Sequence, residues 1–407
     1  HFTDYLTEPN PRDFFLRPCS PESIQLLIDK LDNNKSSGPN SIPTFILKLI
    51  KDCISIPLSN LINFCFEKGE FPPIFKDAKV IPIFKSGNRE DCSNYRPISL
   101  LSNLSKLLEK LVHKQLYSFL TESNVLYDLQ FGFRTNTSTN HALINIVDKI
   151  QKNLDNGNLT AGVFVDLRKA FDTVDHNILL YKMNHYGVRR VPLLWFKSYL
   201  TNRTQHTYAN EKISKTEIVN FGVPQGSILG PFFFLIYIND LNYSIPNSLV
   251  HHFADDTNLL LSIKSLKNLT LRVNHDLTCL CEWLLSLNVD KTELVIFKPR
   301  KTELNFKYKF KIDGHKITPT STIKYLGILI DEELTWKPQI SILKGKLNRA
   351  IGVLAKLRYY TPLSFLKVAY HSLFRSHLHY GCQLWGLSSN DNINTIQKLQ
   401  NRAIRKI

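Results

Sequence analysis

The hydrophobic positions of this chain follow two different periods. Apolar residues spaced three and four apart predict helices at 20–31, 104–120, 140–154 and 266–284, and Ser20 is placed to cap the first of them. The wholly apolar stretch at 228–238 predicts a buried helix, because its 11 residues fall short of the ~20 that cross a bilayer. From Ile342 onward the same period predicts amphipathic helices with basic exposed faces.

Short apolar runs bounded by polar residues predict strands between these helices. They lie at 80–84, 162–166, 249–253, 259–261 and 294–297, and hairpins are predicted over 306–331 with Asp313-Gly314 as a turn. Helices and strands in this mixture indicate the α+β class. No internal repeat or long linker interrupts them.

Two of the predicted strands end in carboxylates. Gly162-Val163-Phe164-Val165-Asp166 is an apolar run closed by an acid, and Phe253-Ala254-Asp255-Asp256 reads as the tip of a hairpin. Acids beside buried strands are costly unless something neutralises them, and Mg²⁺ is a common partner. Two such strands, 255 − 166 = 89 residues apart, suit a two-metal site for phosphoryl transfer, whose ions lie ~3.5–4 Å apart.

These acids belong to a longer series of motifs in a fixed order. In chain order the motifs are Lys79-Val80-Ile81-Pro82-Ile83-Phe84-Lys85, Asn94-Tyr95-Arg96-Pro97-Ile98-Ser99-Leu100-Leu101, Asp166-Leu167-Arg168-Lys169-Ala170-Phe171-Asp172, Phe221-Gly222-Val223-Pro224-Gln225-Gly226-Ser227-Ile228-Leu229-Gly230-Pro231, Phe253-Ala254-Asp255-Asp256, Asn288-Val289-Asp290-Lys291-Thr292-Glu293 and Tyr325-Leu326-Gly327. The set resembles the palm of reverse transcriptases. The first two motifs narrow the resemblance to polymerases of non-LTR (LINE-type, jockey-like) retrotransposons, and it covers about residues 30–335.

The resemblance implies a right-hand polymerase fold with fingers, palm and a partial thumb, in which an antiparallel palm sheet packs on helices. We therefore expect an N-terminal extension and fingers at 1–158, where Lys35-Ser36-Ser37-Gly38-Pro39 resembles an N-terminal signature of the family. The palm is expected at 159–300, primer-grip hairpins at 301–340 and a truncated, basic helical thumb at 341–407. The reverse transcriptase domain as a whole is expected at about 75–330.

The resemblance also implies the catalytic residues. Asp166 and Asp255 would bridge two Mg²⁺ ions, with Mn²⁺ as an alternative ion, while Asp256 supports the site and the carbonyl of Leu167 reaches one ion. Lys291 would approach the β- and γ-phosphates and protonate the pyrophosphate; the alternative is a solvated surface lysine.

The nucleotide-binding residues are implied in the same way. Lys85 and Arg96 would hold the triphosphate, although Lys79 competes with Lys85 for this role. Phe171 occupies the steric-gate position that excludes a 2′-hydroxyl, or else it is a core aromatic. Gln225-Gly226 would lie against the templating base pair.

Two further segments would contact the nucleic acid. Leu326-Gly327 matches the primer-grip hairpin. Phe131 and Arg134 are candidates for template contact, with simple packing as the other reading.

Charge and cysteine content add to this picture. The net charge is 51 − 35 = +16 and the isoelectric point is near 9.4, which favours polyanionic partners but does not by itself decide for nucleic acid. Seven scattered cysteines do not suggest a disulfide framework. Neither Cys279 and Cys281 with His275 nor the pair His251 and His252 has a spacing or setting typical of a metal site.

We therefore expect an RNA-directed DNA polymerase that extends a DNA 3′-hydroxyl on an RNA template, in target-primed reverse transcription. Its partners would be template RNA, primer or target DNA and dNTPs, with no membrane. An RNA-dependent RNA polymerase is disfavoured by Phe171, and a hydrolase with two metal ions is disfavoured by the triphosphate-side motifs. A catalytically decayed, retroelement-derived RNA-binding protein is disfavoured by the intact acids and Lys291.

The chain shows no signal peptide, which leads us to expect the nucleus and cytoplasm. It begins at His1 and ends within a helical pattern, so we read it as part of a longer open reading frame. An endonuclease domain N-terminal to the polymerase is expected from the jockey-like resemblance.

Overall fold

The computed structural model describes residues 2–33, 38–39, 42–167, 169–283, 287–304 and 309–407. Lys35-Ser36-Ser37 of the N-terminal signature and Leu284, the last residue of the predicted fourth helix, lie outside this part. The chain divides into two compact units. Unit 1 comprises His1–Asp128 and Arg168–Tyr243, and unit 2 comprises Leu129–Leu167 and Ser244–Ile407.

The α-helices are numbered along the chain. They are α1 Pro21–Asp29, α2 Thr44–Leu49, α3 Lys51–Lys68, α4 Asn103–Glu122, α5 Thr139–Asp155, α6 His176–His185, α7 Arg190–Leu200, α8 Leu229–Ile238, α9 Leu241–Ser244, α10 Leu266–Glu282, α11 Lys337–Leu357, α12 Leu363–Ala369, α13 Ser376–His379, α14 Cys382–Trp385 and α15 Asn390–Ile404. A π-helical segment, Tyr370–Arg375, joins α12 to α13.

The strands form separate sheets in the two units. They are β1 Asp77–Phe84, β2 Tyr95–Leu100, β3 Leu159–Val165, β4 Arg203–Ala209, β5 Lys212–Ile213, β6 Glu217–Val219, β7 Leu249–Phe253, β8 Asp256–Ile263, β9 Glu293–Phe297, β10 Phe310–Ile312, β11 His315–Ile317, β12 Thr322–Tyr325 and β13 Ile328–Asp331. The α+β prediction is confirmed.

The helix boundaries follow the caps and breaks in the sequence. The Ser20 hydroxyl accepts a hydrogen bond from the Ser23 amide and begins α1, as expected. The apolar stretch forms α8, which is buried along its length. Cys279 and Cys281 lie inside α10, which ends before Trp283.

Unit 1 contains a sheet in the order β2-β1-β4-β5, with β6 also paired to β4. β1 runs antiparallel to β2 and parallel to β4. An aromatic cluster forms its core: the Phe71 ring lies 5.4 Å from Trp195 and 4.9 Å from Tyr199, in edge-on geometries that such rings prefer.

Unit 2 contains the antiparallel sheet β7-β8-β3-β9. Every residue of β3 is buried, because β8 and β9 pair with it on both sides and α5 and α10 pack against it. One hydrophobic core joins α5, this sheet, β12, β13, α11 and α15. The predicted hairpins are present as β10-β11 and β12-β13, with the turn at Asp313-Gly314.

The two compact units cut across the predicted subdomains. α5 and β3 belong to unit 2, whereas 168–243 belongs with the N-terminal residues. The boundaries of fingers, palm and thumb therefore stay predictions. Among the described residues, no helix has both the length and the apolar character needed to cross a bilayer.

Candidate active site

The third palm motif forms the tip of the β7-β8 hairpin. Phe253 pairs with Asp256, so Ala254 and Asp255 are the two loop residues. Ala254 has φ +59°, a left-handed conformation that costs a non-glycine residue about 1 kcal/mol. The Gln130 amide oxygen accepts a hydrogen bond from the Ala254 amide at 3.1 Å, which fixes this turn.

The segment before α5 supports the same turn. The Phe131 amide donates to the His252 carbonyl at 2.8 Å, and the Gly132 amide donates to the Gln130 side chain. A Cβ at Gly132 would lie 2.2 Å from the Ala254 nitrogen, so only glycine fits there. This packing accounts for the position of Phe131. Contact of Phe131 and Arg134 with the template stays a prediction.

Strand register brings the first motif to the third. β3 pairs with β8 up to Val165 opposite Thr257, so the next step places Asp166 opposite Asp256. On its other side β3 pairs with β9 up to Phe164 opposite Glu293. Two steps beyond that pair, Lys291 faces Asp166, and its Nζ lies 3.8 Å from Asp166 Oδ2.

Asn288 holds Asp166 from both its main chain and its side chain. The Asn288 amide donates to the Asp166 carbonyl at 2.9 Å, and its Nδ2 donates to Asp166 Oδ2 at 2.9 Å. Leu167, which follows Asp166, and Leu287, which precedes Asn288, form an isolated antiparallel bridge. The carboxylate of Asp166 is therefore oriented although it is 42% exposed.

These side chains meet at one open cleft of about 410 Å³. Its lining includes Asp166, Asp256, Lys291 and Leu326, all of which the sequence predicted as site residues. Asp255 is not part of the lining, but its charge acts on Asp256, as does that of Asp166. Partial burial and these two carboxylates raise the pKa of Asp256 to about 6.

The carboxylates fit a divalent cation because their mutual repulsion is what a bound cation would relieve. Within the described residues, no group of three or more His, Cys, Asp or Glu side chains is arranged to hold a metal ion. Mg²⁺ does not require such a group: it is usually held by one or two carboxylates together with water and substrate phosphates.

The predicted primer-grip turn connects β12 and β13. Leu326 and Gly327 both have positive φ, +44° and +82°, and Tyr325 pairs with Ile328 across them, which is the geometry of a two-residue hairpin turn. The Tyr380 hydroxyl donates to the Leu326 carbonyl and fixes the turn against the end of α13.

The predicted triphosphate ligands lie on the β1-β2 hairpin of unit 1. Lys85 follows β1, and its amide donates to the Asn94 carbonyl at 2.9 Å; Arg96 is exposed on β2. The competing Lys79 has its Nζ 3.8 Å from the centre of the Tyr208 ring, a cation–π contact that occupies it. This contact favours Lys85 over Lys79.

The second palm motif is tied to the same hairpin. The Gln225 carbonyl accepts a hydrogen bond from the Ser99 amide at 2.6 Å, and the Gln225 side chain donates to Asp172 at 2.9 Å. Gly226 has φ +125°, and a Cβ there would lie 2.5 Å from the Ser99 oxygen. The need for glycine is thus explained by the approach of strand β2 alone.

Phe171 is half-buried, and its ring centre lies 5.0 Å from that of Phe234 in α8. This contact is compatible with both readings of Phe171. Its role as a steric gate stays a prediction.

Comparison with known proteins decides the family. A family profile described as "Reverse transcriptase (RNA-dependent DNA polymerase)" matches residues 83–330. This chain belongs to the reverse transcriptase family. Reverse transcriptases use divalent metal ions, and a domain of this family implies an RNA template, a DNA primer and nucleotide substrates.

Individual relatives of this reverse transcriptase come from non-LTR elements. It is 31% identical to the probable RNA-directed DNA polymerase from transposon BS of Drosophila melanogaster, over 99% of this chain and 46% of that protein. It is 28% identical to the RNA-directed DNA polymerase from mobile element jockey of the same fly, over 99% and 45%. It is also 28% identical to the probable RNA-directed DNA polymerase from transposon X-element of this fly, over 99% of this chain and 45% of that protein. The chain thus spans about half the length of these relatives.

Two supporting residues of this reverse transcriptase were missed by the sequence reasoning. Asn288 lay inside a recognised motif but had no assigned role. Glu109 of α4 is fully buried, and its carboxylate accepts from the Ile228 and Leu229 amides at the start of α8. Burial raises the pKa of Glu109. A charged residue inside an apolar helical face was the available signal.

Proposed function

We propose that this chain synthesises DNA on an RNA template with a right-hand polymerase fold. One observation carries the proposal: the register of β3 with β8 and β9 aligns Asp166 with Asp256 on one side and with Lys291 on the other. Carboxylates beside one cation, at the edge of an open cleft, are the arrangement that nucleotidyl transfer requires.

Asp166 and Asp255, supported by Asp256 and with the Leu167 carbonyl as a further ligand, would hold two Mg²⁺ ions. When bound, these would supply charge stabilisation at the attacked phosphate and activation of the primer 3′-hydroxyl. Asn288 keeps the Asp166 carboxylate in one orientation. Lys291 would donate a proton to the leaving pyrophosphate, and its presence in the lining of the cleft supports this role.

The remaining site residues would handle substrates. Lys85 and Arg96 would bind the triphosphate, the latter through its planar fork. Phe171 would exclude a 2′-hydroxyl by shape, and Gln225-Gly226 would border the templating pair. The Leu326-Gly327 turn would support the primer end, which agrees with its place at the cleft.

The relatives extend the proposal to the biological setting. Their names refer to transposons and mobile elements, so we infer that the template is element RNA and the primer is the 3′-hydroxyl of a target DNA end, which is extended with dNTPs in target-primed reverse transcription. We propose that the protein is found in the nucleus and the cytoplasm.

Primer extension on poly(rA)/oligo(dT) with dTTP and Mg²⁺ tests the function. We expect extension that depends on the RNA template and stops when the metal is chelated. Parallel reactions with UTP test the rival RNA polymerase. Tight binding of the heteroduplex with no incorporation of either nucleotide would support the decayed RNA-binding protein instead.

A further inference from the structure

The positive charge of this chain is concentrated at its C-terminal end. Residues 334–407, which we call the C-terminal basic region, contain 12 Lys and Arg and a single acid, Asp391, which gives 12 − 1 = +11 of the total +16. The remaining residues are close to balance, with 39 − 34 = +5. A surface of this kind favours a polyanion.

Two tyrosines project from this region at the end of α11. Tyr359 is 83% exposed and Tyr360 is 85% exposed, whereas most aromatic side chains of the chain are packed. Their backbone is ordered: the Tyr360 amide donates to the Leu357 carbonyl at 2.9 Å, and the Thr361 amide does so at 3.0 Å. Pro362 then precedes α12 as its N-cap. Large aromatic rings are thus held in water on a fixed turn.

Basic residues flank the two tyrosines in the sequence. Lys356 and Arg358 lie in the same turn of chain. The Arg358 guanidinium donates to the Arg405 carbonyl at 3.2 Å, which brings the basic end of α15 to this place. Lys367 is exposed on α12. Basic residues therefore flank the two exposed rings along the chain, and the end of α15 lies beside one of them, Arg358.

We propose that Tyr359 and Tyr360 form a stacking platform for single-stranded RNA. Bases of a single strand offer free faces that stack on aromatic rings, while cations neutralise the phosphates between them. A duplex offers no such faces except at its ends. The proposal rests on the proposed function, which makes the ligand the unpaired part of the template RNA.

The exposed apolar residues of α12, Leu363, Phe365 and Val368, raise a rival reading in which the face docks another protein. The excess of 12 basic residues over one acid favours RNA, because an apolar docking face gains nothing from unpaired charge around it. The rival reading is separable by experiment, since stacking needs an aromatic ring and apolar docking does not.

The test measures affinity of the full chain for a labelled, unstructured RNA oligonucleotide and for an RNA–DNA duplex of equal length. The variants are the double substitutions Tyr359→Ala/Tyr360→Ala, Tyr359→Leu/Tyr360→Leu and Tyr359→Phe/Tyr360→Phe. Tyr243→Ala is the matched control, because Tyr243 is also exposed, at 56%, but lies outside the C-terminal basic region. Thermal melting checks that each variant folds.

We expect the Ala and Leu pairs to weaken single-strand binding by about tenfold or more, with the Phe pair close to the unchanged protein and the duplex affected much less. Retained affinity in the Leu pair would overturn the proposal in favour of apolar docking. Equal losses on both ligands would overturn it in favour of general charge. Extension of a short, fully paired heteroduplex is measured separately, so failure of the platform is not confused with failure of the polymerase assignment.

Discussion

The acid-tipped hairpin and the C-terminal basic region use charge in opposite ways. In the first, the hairpin acid Asp256 lines one cleft with Asp166, the acid that follows β3. Hydrogen bonds from Asn288 hold the Asp166 carboxylate, and the Gln130 side chain holds the hairpin turn. In the second, basic side chains spread over exposed helix faces. A site that depends on geometry needs a few atoms in fixed positions, as at the acids. A surface that binds through charge alone can spread its charged side chains over a wide area, as in the C-terminal basic region.

The pKa shifts in the two regions follow the same contrast with opposite signs. Partial burial and two neighbouring carboxylates raise the pKa of Asp256, which disfavours its charged form. Partial burial, Lys346 and Arg349 lower the pKa of His377, which also disfavours a charged form. Each region repels further charge of its own sign, so each is prepared for a counter-ion: a cation at the acids, phosphate at the bases.

The largest expected effect comes from neutralising an acid. Asp166→Asn and Asp255→Asn should each reduce primer extension about 10³-fold or more, since metal ions supply several kcal/mol of transition-state stabilisation. Single-turnover extension measures the loss. Asp290→Asn is the matched control, because Asp290 lines the same cleft but lies off the strand tips. Near-normal extension by either test variant would contradict the metal assignment.

A smaller effect should follow from removing the residue that orients an acid. Asn288→Ala should lower extension about 10–100-fold, as loss of a partner behind a metal ligand usually does. The Mg²⁺ concentration for half-maximal rate should rise while the KM for dTTP changes little. A purely structural role would lower the melting temperature without moving the metal dependence, and that result would remove Asn288 from the site.

A substitution at Phe171 tests whether the shape of an uncharged side chain distinguishes ribonucleotides from deoxynucleotides. Phe171→Ala should raise kcat/KM for ribonucleotides relative to deoxynucleotides by on the order of tenfold to a hundredfold, because the gate is steric. Competing incorporation of UTP and dTTP measures the ratio. Phe234→Leu controls for the lost packing, since the two rings are in contact. An unchanged ratio of ribonucleotide to deoxynucleotide incorporation would mean that Phe171 is a core aromatic and not a steric gate.

The smallest effect per residue is expected in the C-terminal basic region. Lys346 and Arg349 line a groove with His377, and Lys344 is exposed on the same helix. Neutralising all three should flatten the log–log salt dependence of duplex binding by up to roughly 0.9 per lost phosphate contact. Exposed Lys30, Lys68 and Lys197 form a control triple of equal charge. An equal change in both triples would mean that net charge alone matters.

The contrast also explains what could be predicted from sequence. The hairpin with Ala254 and Asp255 at its tip was predictable because period-two patterning and a two-residue turn are local signals. The helices around 103–122 and 139–155 were predictable because their apolar residues recur three and four positions apart, which is also a local signal. The acids Asp166, Asp255 and Asp256 were identifiable from the sequence because a charged side chain beside a buried strand costs free energy unless a partner neutralises it.

Other parts depend on contacts between distant residues and could not be read from one chain. The side-chain amide of Asn288 donates a hydrogen bond to Asp166, which lies 122 residues earlier in the chain. The backbone of Ser99 approaches Gly226 so closely that a larger residue would not fit at position 226. Nothing local marks either contact. The division into two compact units is equally non-local, since 168–243 separates from the strand that precedes it.

The central place of β3 affects how this chain folds during its synthesis. Its partners on either side, β8 and β9, are made only after the ribosome has passed residues 263 and 297. Pairings between such distant segments form slowly, and until they form β3 is an exposed apolar ribbon. A nascent chain therefore carries Asp166 long before it carries an active site. Synthesis that stalls between the two acids would leave an aggregation-prone product with no activity.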